Sequence, residues 1–362
     1  MKVGIYLGSL EDNPRNIEKQ LISWGGYLSE FELEVFGSAP LPDAAVEDYK
    51  HVKTTKRQPK NPAGKIAAAF LDTREYIQRR DPDVVVQIWC YLTHGPGVTL
   101  AAHHSNTASV VRFSGDHFAE FRAFNGFEAI LAFALHNLVG RLPLRLADEV
   151  IALGPEGKVS VIDRGASESS VTVLPPAVSA ENRFCPTNDR LSVRKGLNLP
   201  TDRRVALYVG RLSDRKGMGF LEEVITGVTE DDDVLFVVVG DGEYANVFRN
   251  QFSSDVVRLP GHIPYSDIHR YYQAADLYIH PSPYEGIPLV ILEALKCEVP
   301  VLARDAGDIK YLTGSTVNTP CEMVDAIVNC QYEWRWEHRE KFLDDYQSQT
   351  LKRVLKHAVT KD

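Results

Sequence analysis

Short apolar runs alternate with longer stretches of helical period along the chain. In the first half KVGIYLGSL reads as a buried strand, NIEKQLISWGGYL as a helix, ELEVFG as a strand, AGKIAAAFLDTREYIQRR as a long helix and PDVVVQIWC as another strand. Runs that are apolar throughout, rather than alternating with polar residues, belong to a sheet covered on both faces. SVVRFSGD, DEVIALG and VTVLPPAV continue the rhythm, which predicts a mostly parallel sheet with helices on both sides. PPAVSAENRFCPTNDR, with its prolines and polar residues, interrupts it and marks a crossing between domains near residue 180. RVALYVGRL, a helix from about Met218, DVLFVVVGDG, VVRLPG, DLYIHPS and VPVLA then restart the same pattern. The expected organisation is one α/β domain over 1–180 and a second over 181–335. A charged helical segment over 336–362 is expected to pack back on the first through LKRVLKHAV.

Length agrees with this division, since 362 residues exceed what one hydrophobic core usually serves. Forty basic against 49 acidic side chains give a formal charge of -9, which argues against nucleic acid as a partner. The five cysteines, Cys90, Cys185, Cys297, Cys321 and Cys330, form no CxxC pair, so a reducing compartment and no zinc site are expected. MKVGIYLGSL is too briefly apolar for a signal sequence, and no later run reads as long enough to span a bilayer. A cytoplasmic location is therefore expected. The basic stretch HVKTTKRQPKNPAGK holds five Lys/Arg and no acid. It reads first as a solvated loop and second as a patch for a phosphorylated acceptor or an anionic membrane surface.

Ligands of parallel sheets sit at the carboxyl ends of the strands, and three such loops carry candidate chemistry. YVGRLSDRKG leaves a strand at Gly210 and presents Arg211 and Lys216 before a helix, a suitable cradle for a diphosphate. FVVVGDGEYANVF contains GxGxxA after a strand, but no acidic residue follows at the end of the next strand, so a nicotinamide cofactor is the weaker reading. In PSPYEGIPLVILEALKCEVPV, Pro288 suits the first helical position and frees the amides of Ile287, Leu289 and Val290. Glu285 lies on the loop and Glu293 inside the helix, so both can lean towards one polyhydroxylated ligand and accept from its hydroxyls. Alternatively, Glu285 only complements the helix dipole and Glu293 only faces solvent. A glycosidase pair is a further alternative, one that this loop and helix are not obviously built to give.

The second half resembles the retaining glycosyltransferases of family 4, with YVGRLSDRKG, VVVGDGEY, LPGHIPYSDIHRYYQAADLYIHPSPYEGIPLVILEALKCEVPVLA and RDAG in register over roughly residues 145 to 310. The resemblance implies the GT-B fold, two Rossmann-like domains facing across a cleft that holds a nucleotide-sugar donor. It assigns Arg211 and Lys216 to the donor diphosphate, and Glu285 with the Gly286, Ile287, Pro288 and Leu289 backbone to the transferred sugar. Glu293 falls to the ribose, and the backbone around His262 and Ile263 to the base. In the first half YLGSL, with Gly8, takes the place of a donor-touching glycine loop. The histidine that family members carry after a middle strand falls on Ser114, so Asp116, with His117 second, is the expected catalytic partner of Glu285; as an alternative Asp116 caps a following helix.

The implied activity is transfer of a sugar from a nucleoside diphosphate sugar to a sugar, lipid-linked or other hydroxyl acceptor, without metal or other cofactor. A sugar-nucleotide epimerase, a non-catalytic sugar-nucleotide-binding subunit and an oxidoreductase are the alternatives. Peripheral contact with the cytoplasmic membrane face is a further expectation.

Overall fold

A computed structural model of the chain describes residues 1–9, 12, 17–114, 126–177, 183–229 and 232–360, the side chains of Ala44 and Phe127 excepted. The chain divides into two compact units, Met1–Ala180 with Glu340–Asp362, and Glu181–Arg339.

Unit 1 is built on a seven-stranded parallel sheet: β1 (Lys2–Gly8), β2 (Glu32–Gly37), β3 (Lys50–Lys53), β4 (Val84–Gln87), β5 (Ala108–Phe113), β6 (Glu149–Ala152) and β7 (Val171–Val173), in the order β3-β2-β1-β4-β5-β6-β7. Both faces are covered, which is why the strands are apolar on both sides. Val3, Ile5, Val35, Val84 and Val86 pack under Trp24 of the helix Glu18–Tyr27 and Leu351, Val354 and Leu355 of the helix Asp344–Thr360. On the opposite face Tyr6, Phe36 and Val85 meet Tyr76 of the helix Pro62–Arg80 and Val98 of the helix Tyr91–His104. Asn61 caps the first of these, its side chain accepting from the Gly64 amide at 2.8 Å.

Unit 2 repeats the plan with six parallel strands: β8 (Arg204–Val209), β9 (Val234–Val239), β10 (Val257–Gly261), β11 (Leu277–His280), β12 (Val301–Arg304) and β13 (Thr316–Val317), in the order β10-β9-β8-β11-β12-β13. VLFVVV of β9 is buried at every position, and with Leu221, Val224 and Ile225 of the helix Met218–Gly227 it forms part of the core.

Three expectations need correction. The basic stretch is not simply a solvated loop: its first residues form the edge strand β3, Arg57 pairs with the buried Asp72, and Lys65 pairs with the buried Asp12 at 2.6 Å. Buried carboxylates recruit cations, and neither Asp72 nor Asp12 could be seen as buried from sequence alone. The helical run Glu128–Leu146 is 19 residues long and contains an 18-residue window of mean hydropathy 1.2, 22% of it buried, so it is long and apolar enough to cross a bilayer by length and composition. Asn137, Gly140, Arg141 and Pro143 break its pattern in the sequence and hid it. Finally, Pro288 precedes the helix in an extended conformation (φ -75°, ψ 127°), and the first helical residue is Leu289.

Candidate functional site

In unit 2 the strand order reverses between β8 and β11, neighbours in the sheet though β9 and β10 lie between them in sequence. Loops leaving two such strands diverge and open a crevice at their carboxyl ends. The loop after β8 begins at Gly210, whose amide donates to Val239 at 3.0 Å, and presents Arg211 exposed, its guanidinium paired with no described residue. Tyr208, buried in β8, donates its hydroxyl to the Arg211 carbonyl at 2.9 Å and so anchors the loop. A short turn, Asp214–Lys216, carries Lys216 towards the neighbouring loop.

Lys216 Nζ meets Glu285 Oε1 at 2.6 Å, and the same oxygen lies 3.4 Å from Nε2 of His280, the buried last residue of β11. Burial alone would raise the Glu285 carboxyl, but the neighbouring His280 ring and the Lys216 ammonium outweigh it and hold it at about 2. His280 is stacked on Tyr278, ring centroids 6.1 Å apart, which fixes its plane. Gly217 closes the Lys216 turn in the left-handed region (φ 76°), and a Cβ there would overlap the carbonyl of Pro281. Only glycine satisfies both constraints.

Beyond Glu285 come Gly286, half-buried, and Ile287 and Pro288, both buried. The amides of Ile287, Leu289 and Val290 donate to no described residue, so the start of the helix Leu289–Lys296 offers donors to a ligand. Glu293 is 6% exposed and takes a hydrogen bond from the buried Tyr272 hydroxyl at 3.0 Å, which excludes a solvent-facing role. His262, exposed, and Ile263, half-buried, follow β10 at the sheet edge, two strands from β8, and no described contact joins them to Glu285. The glycines of GDGEYA serve packing: Gly240 (φ 137°) abuts the Gly210 carbonyl and Gly242 that of Leu212, locking the loop after β9 onto the loop after β8.

In unit 1 the order reverses between β1 and β4. Gly8 ends β1, and a Cβ on it would crowd Asp12. Asp12 accepts from the Ser9 amide and hydroxyl, both at 2.8 Å. Burial opposes its charge, yet His94, Lys65 and Ser9 together hold the carboxyl well below the usual range. Asp116 and His117 lie outside the described residues. Asp12, Lys65 and His94 were missed in the sequence; the position of Asp12 just after the first strand was the available signal.

Residues 189–320 match the family described as Glycosyl transferases group 1. The structure is similar to that of Anabaena HepE in complex with UDP and glucose, with a TM-score of 0.66 at 19% identity over 99% of this chain and 97% of that one. The fold is GT-B. Among curated proteins the chain is 32% identical over 169 residues to the putative teichuronic acid biosynthesis glycosyltransferase TuaC of Bacillus subtilis, covering 47% of this chain and 42% of TuaC. It is 27% identical over 237 residues to the phosphatidylinositol N-acetylglucosaminyltransferase GPI3 subunit of Saccharomyces cerevisiae, covering 62% of this chain and 49% of that protein. The chain thus spans about half the length of these relatives or less. The group 1 match contains both GT-B loops that converge on Glu285, from Gly210 to Lys216 and from Pro281 to Glu293.

Proposed function

We propose that the protein is a glycosyltransferase that moves a sugar from a nucleoside diphosphate sugar to an acceptor hydroxyl, with retention at the anomeric carbon. The observation that carries this reading is the meeting of Lys216 and Glu285 at 2.6 Å beside an exposed Arg211 and a helix start with free amides. A departing diphosphate accumulates negative charge as the glycosyl centre becomes cationic. Arg211, Lys216 and the amides after Gly286 offset that charge, and losing one such donor typically costs about 2.7 to 4 kcal/mol. Donor binding would draw Lys216 from Glu285 to the phosphates and free the carboxylate for the sugar hydroxyls. Glu293, oriented by Tyr272, then holds the ribose.

Because fixed cations do this work, the transfer step needs no divalent ion. Acceptor hydroxyls, sugar or lipid-linked, are taken by unit 1 in the cytoplasm. The name of the yeast relative and the apolar run Glu128–Leu146 support an acceptor at the membrane face.

The test is a thermal-shift panel of UDP-, GDP- and ADP-sugars on the wild type and Arg211→Ala. One nucleotide class should stabilise the wild type, as a ligand of the native state does, and the substitution should abolish most of the shift. Equal shifts for both proteins would remove Arg211 from the donor site.

A further inference from the structure

The switch point of unit 1 gathers side chains of a kind that sugar transfer does not require. Asp12, after β1, and Cys90 and His94, at the start of the helix Tyr91–His104, bring a carboxylate oxygen, a thiol sulfur and an imidazole nitrogen within 4.8 Å of one another. Cys90 and His94 are spaced C-x3-H, one helical turn apart, so they project on one side. The Cys90 backbone, left-handed at φ 50°, starts the helix by accepting from the Thr93 and His94 amides.

His94 is 1% exposed, and neither of its ring nitrogens has a hydrogen-bond partner. The ring is clamped edge-on by Tyr6, with centroids 4.9 Å apart, and by Trp89, at 5.4 Å, so it cannot turn to find one. Its Nε2 is held 3.4 Å from Asp12 Oδ2. A buried imidazole held by a long 3.4 Å contact rather than a well-formed hydrogen bond is poorly satisfied, and one that shares a focus with a carboxylate and a thiol has the donor set of a metal site.

We propose that Asp12, Cys90 and His94 bind one divalent transition-metal ion of the zinc class, with a water in the fourth position. Mixed nitrogen, sulfur and oxygen donors favour zinc or cobalt over magnesium or calcium. Ligands about 2.0 to 2.3 Å from zinc stand about 3.3 to 3.7 Å apart, so the three ligand atoms, within 4.8 Å of one another, draw together on binding. Lys65 stays on Asp12 Oδ1 at 2.6 Å as an outer partner, while Oδ2, which accepts from the Ser9 amide and hydroxyl at 2.8 Å, gives up the hydroxyl to take the ion. The thiol proton passes to solvent as the sulfur–metal bond forms; burial and the Asp12 carboxylate push the free thiol up to about 12, so it is the ion that drives the loss. The lack of a CxxC pair does not exclude this site, because its third ligand comes from a distant strand end. The inference draws on unit 1 alone and does not depend on the sugar-transfer reading.

The test uses the metal-stripped full chain titrated with Co2+, with no nucleotide or sugar present. One equivalent should bind, giving tetrahedral cobalt bands and a thiolate-to-cobalt charge-transfer band that Zn2+ abolishes on displacement. Cys90→Ser should lose the charge-transfer band, and Asp12→Asn and His94→Gln should bind at least about tenfold more weakly. Zn2+ should raise the melting temperature of the wild type and not of Cys90→Ser. Asp12→Asn, close in size to the native residue, serves where a variant melts early without metal. Absence of the charge-transfer band in the wild type, or its persistence in Cys90→Ser, overturns the site, as does an equal Zn2+ stabilisation of the two.

Discussion

Gly217 packs so closely on Pro281 that a methyl group on its Cα would overlap the Pro281 carbonyl oxygen. This contact ties the loop after β8 to the loop after β11 at the position next to Lys216. Gly217→Ala adds a left-handed penalty to the overlap, so unit 2 should lose about 1 to 3 kcal/mol. Denaturant unfolding measures that loss. Donor binding should weaken as well, because the Lys216 turn has to move, and a variant with unchanged unfolding and binding would show that the two loops do not depend on each other.

Glu285 makes unit 2 sensitive to acid. Its folded carboxyl sits near 2, against an ordinary value of 4.5, so the stability it contributes is complete above about pH 4.5 and disappears as the pH falls towards 2. At 1.36 kcal/mol per unit, that contribution is roughly 3 kcal/mol. Urea midpoints at pH 7, 5, 4 and 3 should show Glu285→Gln well below the wild type at neutral pH and converging on it in acid. A gap that stays constant across the series would refute the depressed carboxyl.

Tyr272 and Glu293 allow support to be separated from chemistry. Tyr272→Phe keeps the ring between Phe184 and Tyr278 but removes the hydroxyl that donates to Glu293. A buried acceptor that loses one partner costs about 1 to 3 kcal/mol. Under the proposed ribose contact, the KM for the donor should rise while kcat stays within a few-fold. Steady-state kinetics at saturating acceptor reads both, and an unchanged KM would detach Glu293 from the donor.

Leu355 lies fully buried in the core of unit 1, though it belongs to the last helix of the chain. Leu355→Ala should destabilise that unit by about 2 to 5 kcal/mol. Calorimetry should then show an early transition for unit 1, with the transition of unit 2 unmoved. A single transition shifted as a whole would indicate that the two units unfold together.

The fold class was legible because a doubly covered parallel sheet writes itself as uninterrupted apolar runs, VLFVVV being the plainest. The edge elements were harder to read. β3 hides in a basic stretch because only Val52 is buried there, and β13 is two residues long. Around the candidate site, the spacing of Glu285 and Glu293 and the Arg211 to Lys216 loop could be read directly. The meeting of Lys216 with Glu285 could not, since they are 69 positions apart and joined by strand order. The purpose of the GDGEYA glycines was equally hidden, because a glycine that approaches a ligand and one that approaches another loop look the same in sequence. His280 illustrates the same limit: its place at a strand end was visible, its approach to Glu285 was not.

The helix Asp344–Thr360 closes a core whose other walls come from the first half of the chain. During synthesis a ribosome therefore makes the whole of unit 2 while the opening sheet still lacks its final wall. That sheet must wait, part of its apolar face uncovered, until the closing residues emerge, and over this interval chaperones should find it the more vulnerable half.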